Sequence, residues 1–409
     1  MDRREFLAAG VLSSLSTAVH GASATAEAGA AGPRARFAGL DSRTYLNAAG
    51  MMPLGSFAAA GLERYIDFQR LGPGDGRRAY VGEAHSGARE RFAELIGARP
   101  DEIALVPCTK AGEEIVLDGL DPMRHGRNIV TNDMHFSGSL HNLVGLRRAG
   151  ADVRIIRSRD WDITLEEMTD AIDDDTALVC VTLLSNVTGR IEAVRELADA
   201  AHQRGALIYV DIIQAAGIVP IDVAALGIDF AAANGYKWLY GTYGAGFLYV
   251  RHDLQGTALP DRLFPGHLRF NYAPWTDSPK PGAEDFDYRP NDDGRRYEPG
   301  HVNYMGYCAV YEGLGFLGRV GIDKALSHSV ALNRSLAGRI DQGRFRCLTP
   351  DIDRSPILTL HMSDTERLKR HLEEAGVVAS VGGNYLRISP ALFSTESDIQ
   401  ALADVLEKL

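Results

Sequence analysis

The chain has 409 residues, with 43 Lys+Arg against 54 Asp+Glu, a net charge of −11, 45% hydrophobic and 24% charged residues. That is a globular composition, long enough for a large domain with a smaller companion, and it excludes a disordered, collagen-like or coiled-coil chain. The acidic balance offers no basic field for binding nucleic acid, which leaves small molecules as partners, and Cys108, Cys180, Cys308 and Cys347 have neither metal-ligand nor disulfide-framework spacing.

The N-terminus reads as a processing segment. Arg3-Arg4 precede Phe6, an apolar stretch covers residues 7–19, and Ala22-Ser23-Ala24 offers a small-residue cleavage site. Residues 1–28 therefore predict a twin-arginine export signal, handed to the twin-arginine machinery. The stretch is shorter than the roughly 20 apolar residues that span a bilayer. The expectation is a protein exported to the periplasm or beyond, without stable membrane insertion. This route carries folded proteins and suits one that binds a cofactor before export.

After an N-terminal segment (residues 35–60), short apolar runs occur at 103–107, 128–131, 152–156, 177–182, 206–211, 230–233 and Gly246–Val250, with helical periods such as 191–204 between them. This alternation predicts an α/β large domain over residues 61–264, built on a mostly parallel sheet between helices. Ligands of such sheets bind beyond the carboxyl ends of the strands. Residues 265–300, rich in Pro, Gly, Asp and Arg with scattered aromatics, predict a loop excursion. Strands at 357–362 and 385–389 flank a helix at 365–375, so residues 301–409 predict a smaller α+β C-terminal domain.

Two strand ends carry the strongest chemical signal. The run 206–210 ends in Asp211, followed by Gln214, and Lys237 lies between two apolar strands in a chain with only six lysines. A buried carboxylate needs a cationic or N–H partner. A buried lysine loses its proton readily and becomes a nucleophile able to form a Schiff base. An acid and a lysine on separate strand ends match the needs of pyridoxal phosphate, whose ring nitrogen is held by an acid and whose aldehyde is held by an amine.

With these residues in order, and with Tyr45-Leu-Asn47-Ala-Ala-Gly near one end and Tyr-Leu-Arg387-Ile-Ser-Pro near the other, the chain resembles the class V aminotransferases of fold type I. The resemblance is to the branch containing isopenicillin N epimerase, the ergothioneine C–S lyases and the cysteine desulfurases. It implies a homodimer with a shared active site and pyridoxal 5′-phosphate as cofactor. It further implies that Lys237 bears the Schiff base and moves the α-proton, Asp211 pairs with the ring nitrogen, and Gln214 and Asn186 approach the phenolic oxygen. His135 would stack on the ring, and Arg387 with Asn47 would bind the substrate carboxylate. The phosphate would sit at the helix start in Cys108-Thr-Lys110-Ala111-Gly112-Glu113. That run lacks the family's hydroxyl ligands, leaving the amides of Ala111 and Gly112, with Lys110 either adding charge or standing as a solvated cation. His301 stands where the family often has a Thr that reaches the phosphate of the neighbouring subunit.

The reaction type is less defined. Cysteine desulfurases use a thiolate on a loop shortly before the Arg387 strand, and residues 376–387 contain no Cys. Epimerisation, elimination, transamination and decarboxylation stay open, with Tyr243, His267, Tyr272 or His301 as candidates for a second acid or base. Export favours tailoring of a secreted or peptide-linked amine, such as the glutamyl side chain of a pyoverdine-type siderophore. A non-catalytic protein that retains the cofactor is the remaining alternative.

Overall fold

The computed structural model describes residues 32–123, 125–261, 269–270, 288–289 and 291–409. The export signal expected at 1–28, and His267 and Tyr272, lie outside the described residues.

In chain order the elements are β1 (Thr44–Tyr45), α1 (Ser56–Leu71), α2 (Arg77–Leu95), β2 (Ile103–Val106), α3 (Thr109–Leu120), β3 (Asn128–Asn132), α4 (Ser137–Arg148) and β4 (Val153–Ile156). Then come α5 (Leu165–Thr169), β5 (Thr176–Thr182), α6 (Val194–Gln203), β6 (Leu207–Asp211), β7 (Phe230–Asn234) and β8 (Gly246–Val250). β9 (Arg269–Phe270) and β10 (Tyr288–Arg289) form an antiparallel pair inside the predicted excursion. The chain ends with α7 (Tyr304–Val320), α8 (Ile322–Arg339), β11 (Leu358–His361), α9 (Thr365–Glu374), β12 (Val377–Val378), β13 (Ser380–Val381), β14 (Tyr385–Ile388) and α10 (Glu396–Glu407).

A seven-stranded sheet runs in the order β2-β8-β7-β6-β5-β3-β4. β8 is antiparallel to both of its neighbours, and the remaining pairs are parallel. Parallel strands covered on both faces read as unbroken apolar runs, which is why β5, β6 and β7 carry Val, Leu, Ile and Ala on alternate sides. Val179, Val181, Ile208 and Val210 enter one core with Phe92 of α2 and Leu197 of α6. Leu178, Cys180, Tyr209 and Ala232 face the other way, against Ile115 and Val116 of α3 and Leu143 of α4. Helix α6 buries Val194, Leu197, Ala198 and Ala201, the one-sided stripe expected at 3.6 residues per turn.

The smaller C-terminal core gathers Leu332 and Leu336 of α8, Leu358 and Leu360 of β11, Leu386 of β14 and Leu402 of α10 around Leu46 from the N-terminal segment. α7 packs instead with the large core, through Val310, Leu314 and Leu317. The predicted excursion ends anchored: Glu298 is buried, takes the Arg89 guanidinium at 2.6 Å and accepts the Leu105 amide at 3.0 Å.

Candidate active site

The carboxyl ends of β6 and β7 open into a cavity of about 230 Å³, lined among others by Thr109, Phe136, Asp211, Tyr236, Lys237 and Tyr243. Lys237 sits in the turn after β7 and is 6% exposed. Close approach holds this turn on α7, since a Cβ at Gly235 or Gly241 would meet Val310 Cγ2 at 2.3 or 2.2 Å. Tyr240, three residues on, takes a left-handed φ of 56°, a strained conformation for a bulky buried residue and a kind of strain that clusters at functional loops. Among the described residues the Lys237 amine has no hydrogen-bond or ion-pair partner. Burial lowers its pKa to about 8, with Asp211 opposing that fall and Arg387 adding to it.

Asp211 closes β6 and is 1% exposed. Its Oδ1 accepts the Ile213 amide at 2.9 Å, and its Oδ2 has no partner among the described residues. Burial raises its pKa, while His135, the Ile213 amide and Lys237 pull it back. Gln214 is buried with its amide engaged: Nε2 donates to Ala49 O at 3.0 Å, and Oε1 accepts from Trp238 Nε1 at 3.2 Å. It ties the N-terminal segment to the lysine turn, with one Nε2 hydrogen left over.

Arg387 brings the expected carboxylate residues together. Its Nη1 donates to Asn186 O at 2.7 Å and its Nη2 to Asn47 Oδ1 at 3.4 Å. Its Nε is buried and unpartnered, so the guanidinium keeps donor capacity for a ligand. Burial lowers its pKa.

The helix start differs from the sequence expectation. Cys108 is itself the N-cap of α3: its Sγ accepts the Ala111 amide at 3.5 Å, and its carbonyl accepts the Gly112 amide at 3.2 Å. A capping residue consumes the amides three and four positions on, which leaves the first two of the helix free. The amides open to an anion therefore belong to Thr109 and Lys110, and those of Ala111 and Gly112 are spent. Gly112 serves packing, because a Cβ there would stand 3.0 Å from Ala232 Cβ. A hydroxyl is present after all: Thr109 Oγ1 is buried without a partner, and Thr109 lines the cavity. The Lys110 side chain is exposed and lies 3.7 Å from Glu114.

His135 does not line the cavity. Its ring lies 3.6 Å from Glu113, and it is the next residue, Phe136, that joins Tyr236 and Tyr243 on the cavity wall. The loop after β3 turns inward at His135 before α4 begins at Ser137, so a one-residue step exchanges the buried and the cavity-facing side chain. His301 is exposed, with Nδ1 3.1 Å from Tyr304 Oη, and Tyr243 stacks on Tyr236 with ring centroids 4.1 Å apart. Reading strand ends missed Thr109, Phe136, Tyr236 and Glu113. Two of them had a signal: Tyr236 directly precedes the lysine, and Glu113 is an acid on the apolar face of α3.

These residues fit pyridoxal phosphate. An unpaired buried amine, a carboxylate with one open oxygen, and an unpartnered hydroxyl beside two free helix amides converge on one cavity. Residues 76–402 match the family described as Aminotransferase class-V.

The chain belongs to the class-V aminotransferase family.

It is a pyridoxal-phosphate-dependent enzyme of fold type I. A probable cysteine desulfurase of Methanothermobacter thermautotrophicus is 28% identical over 396 residues, covering 90% of this chain and 95% of that protein. Isopenicillin N epimerase of Amycolatopsis lactamdurans is 27% identical over 349 residues, covering 79% and 84%. The solved cysteine desulfurase CsdA of Escherichia coli superposes with a TM-score of 0.79 at 21% identity, covering 92% and 96%, a likeness of fold. Among the described residues the enzyme has no group of side chains able to hold a metal, and no helix long and apolar enough to cross a membrane.

Proposed function

We propose that the enzyme is exported and acts at the α-carbon of an amino-acid substrate bearing a free carboxylate, without sulfur transfer. The observation that carries this reading is the unpaired, nearly buried Lys237 amine in the same cavity as the open oxygen of Asp211. When bound, pyridoxal phosphate supplies an electron sink for negative charge at the substrate α-carbon. Asp211 would hold the ring nitrogen, Thr109 and the first amides of α3 would hold the phosphate, and Phe136 would pack against the ring. Lys237 would hold the aldehyde group and, when released from it, would accept the α-proton on Nζ, a task suited to an amine with a pKa of about 8. Arg387 holds the substrate carboxylate through its fork, supported by Asn47 and Asn186.

Sulfur transfer is disfavoured because residues 376–387, where the resembled desulfurases carry their thiolate, contain no cysteine. Among the described residues Cys108 is the cysteine that lines the cavity, and it stands at the start of α3, beside the amides that would hold the phosphate. The same reading takes a homodimer, in which a second copy covers the exposed Phe136 and Tyr243 at the cavity mouth. It also takes a secreted or peptide-linked amine as substrate, on the strength of the twin-arginine pattern expected at residues 1–28.

The test is exchange of the α-hydrogen with deuterium oxide for a panel of amino acids and N-terminal glutamyl peptides, using holoenzyme. Exchange that depends on a free carboxylate and is lost in Lys237→Ala supports the reading. Release of sulfide from cysteine, or no exchange with any substrate, overturns it.

A further inference from the structure

On the α3 side of the sheet, next to Asp211, lies a group of buried polar atoms that other contacts leave unsatisfied. Glu113 and His135 are 1% and 2% exposed, and His135 Nε2 stands 3.6 Å from Glu113 Oε1. Both ring nitrogens of His135, both carboxyl oxygens of Glu113 and the hydroxyl of Tyr209 lack a hydrogen-bond partner. Tyr209 lies two residues before Asp211 on β6 and so faces the same side, in register with Cys180 of β5.

A buried carboxylate without a partner is costly, and its helix has Ile115, Val116 and Leu117 to fill apolar space. Packing therefore does not account for an acid at position 113. Its ion-pair neighbour among the described residues is the imidazole, a few tenths of an ångström beyond hydrogen-bond range. That imidazole is in turn the strongest charged influence favouring the ionised form of Asp211, which Glu113 by itself disfavours.

We propose that Glu113 is a positioning residue: it takes the Nε2–H of His135, fixes that ring next to Asp211, and through it keeps Asp211 charged toward the cofactor's ring nitrogen. The inference rests on Asp211 facing that nitrogen. The groups that bear on the pair are Asp211 and Tyr209 from β6, Cys180 from β5, Glu192 from the segment before α6, and Lys237 acting on Asp211. Glu113 and His135 would then act as a unit whose effect reaches the cofactor without touching it.

The experiment titrates the visible absorbance of bound cofactor against pH in holoenzyme carrying Glu113→Gln, His135→Gln, both together, or Asp211→Asn. If Glu113 works through His135, removing it weakens positive charge at the ring nitrogen. The Lys237–cofactor linkage then becomes easier to protonate, and the midpoint moves to higher pH by about one unit, a tenfold change in proton affinity. His135→Gln gives the same upward shift, and the double variant gives no more than either alone. A direct through-space effect of losing a negative charge would move the midpoint downward, and a residue that only fills space would leave it unmoved. Either result overturns the proposal. If Asp211→Asn also leaves the midpoint unmoved, the placement of Asp211 fails as well; if Asp211→Asn moves it and Glu113→Gln does not, only the role of Glu113 fails. Should Glu113→Gln fold poorly, Glu113→Leu removes the unpaired acid, and the proposal then requires the same upward shift with a raised Tm.

Discussion

Two carboxylates lie fully buried at opposite ends of neighbouring strands of the same sheet. Asp229 stands at the amino end of β7, where its oxygens accept the Ile208 amide at 2.8 Å, meet His202 Nε2 at 2.9 Å and pair with the Arg251 guanidinium. Asp211 stands at the carboxyl end of β6, where one backbone amide is its only hydrogen-bond donor among the described residues. The first is saturated and stitches β6, β7 and α6 together. The second keeps an open oxygen in a cavity, a state a protein tolerates where a ligand completes it. Equal burial thus accompanies opposite roles, and the number of partners tells them apart.

The largest expected effect separates the two acids. Asp229→Asn breaks a buried ion-paired cluster and lowers stability by about 3–5 kcal/mol, read by denaturant unfolding. Asp211→Asn leaves unfolding nearly unchanged and lowers turnover about 10²- to 10³-fold through loss of electrostatic support for the cofactor. If both variants lose stability equally, the comparison breaks.

Arg387→Lys sharpens the site half of the comparison. It keeps the charge and loses the fork, so KM rises about thirtyfold, corresponding to about 2 kcal/mol for charge-assisted hydrogen bonds, with a smaller change in kcat. Steady-state kinetics on the substrate found by α-hydrogen exchange measures the split.

Lys237 gives a pH signature in the apoprotein. Its pKa in the folded state is lowered to about 8 from 10.5 by burial, so the fold bears the full penalty below pH 8 and loses it as pH rises toward 10.5. Lys237→Met removes that penalty. The variant is therefore more stable than the parent at pH 7, by up to about 3 kcal/mol, and the difference vanishes above about pH 10. Thermal unfolding across pH tests this, and a Lys237→Met apoprotein no more stable at pH 7 contradicts it.

The smallest effect is at the helix start. Thr109→Ala removes one hydroxyl and weakens cofactor retention about tenfold with little change in Tm, whereas Gly112→Ala disturbs packing of α3 on Ala232. Equilibrium dialysis against pyridoxal phosphate distinguishes the two.

All seven strands of the large sheet were legible, because parallel strands covered on both faces are apolar throughout and are separated by helices of another period. That Asp211 and Lys237 would meet in one cavity was legible for a related reason, since polar residues placed directly after buried strands have few alternatives, whereas the hydrogen bond between Arg387 and Asn47 came from the structure. Thr109 and Phe136 were not. Each lies one or two residues from a position that was read, and which side chain faces the cavity depends on the cap register of α3 and on a single step in the loop after β3. Glu113 left a signal as an acid on the apolar face of α3, but its partner was hidden until the fold set His135 opposite it. α7 illustrates a longer-range form of the same difficulty: its sequence neighbours lie in the C-terminal core, while its Val310 seats the lysine turn.

The most direct measurement is the visible spectrum of the protein supplied with pyridoxal phosphate, before and after borohydride, followed by peptide mapping beside Lys237→Ala. The account predicts a visible band that borohydride removes, leaving the cofactor's mass on the peptide containing Lys237 and none on the variant. A label on another lysine, or protein that takes up no cofactor, would contradict the assignment of this cavity as the active site.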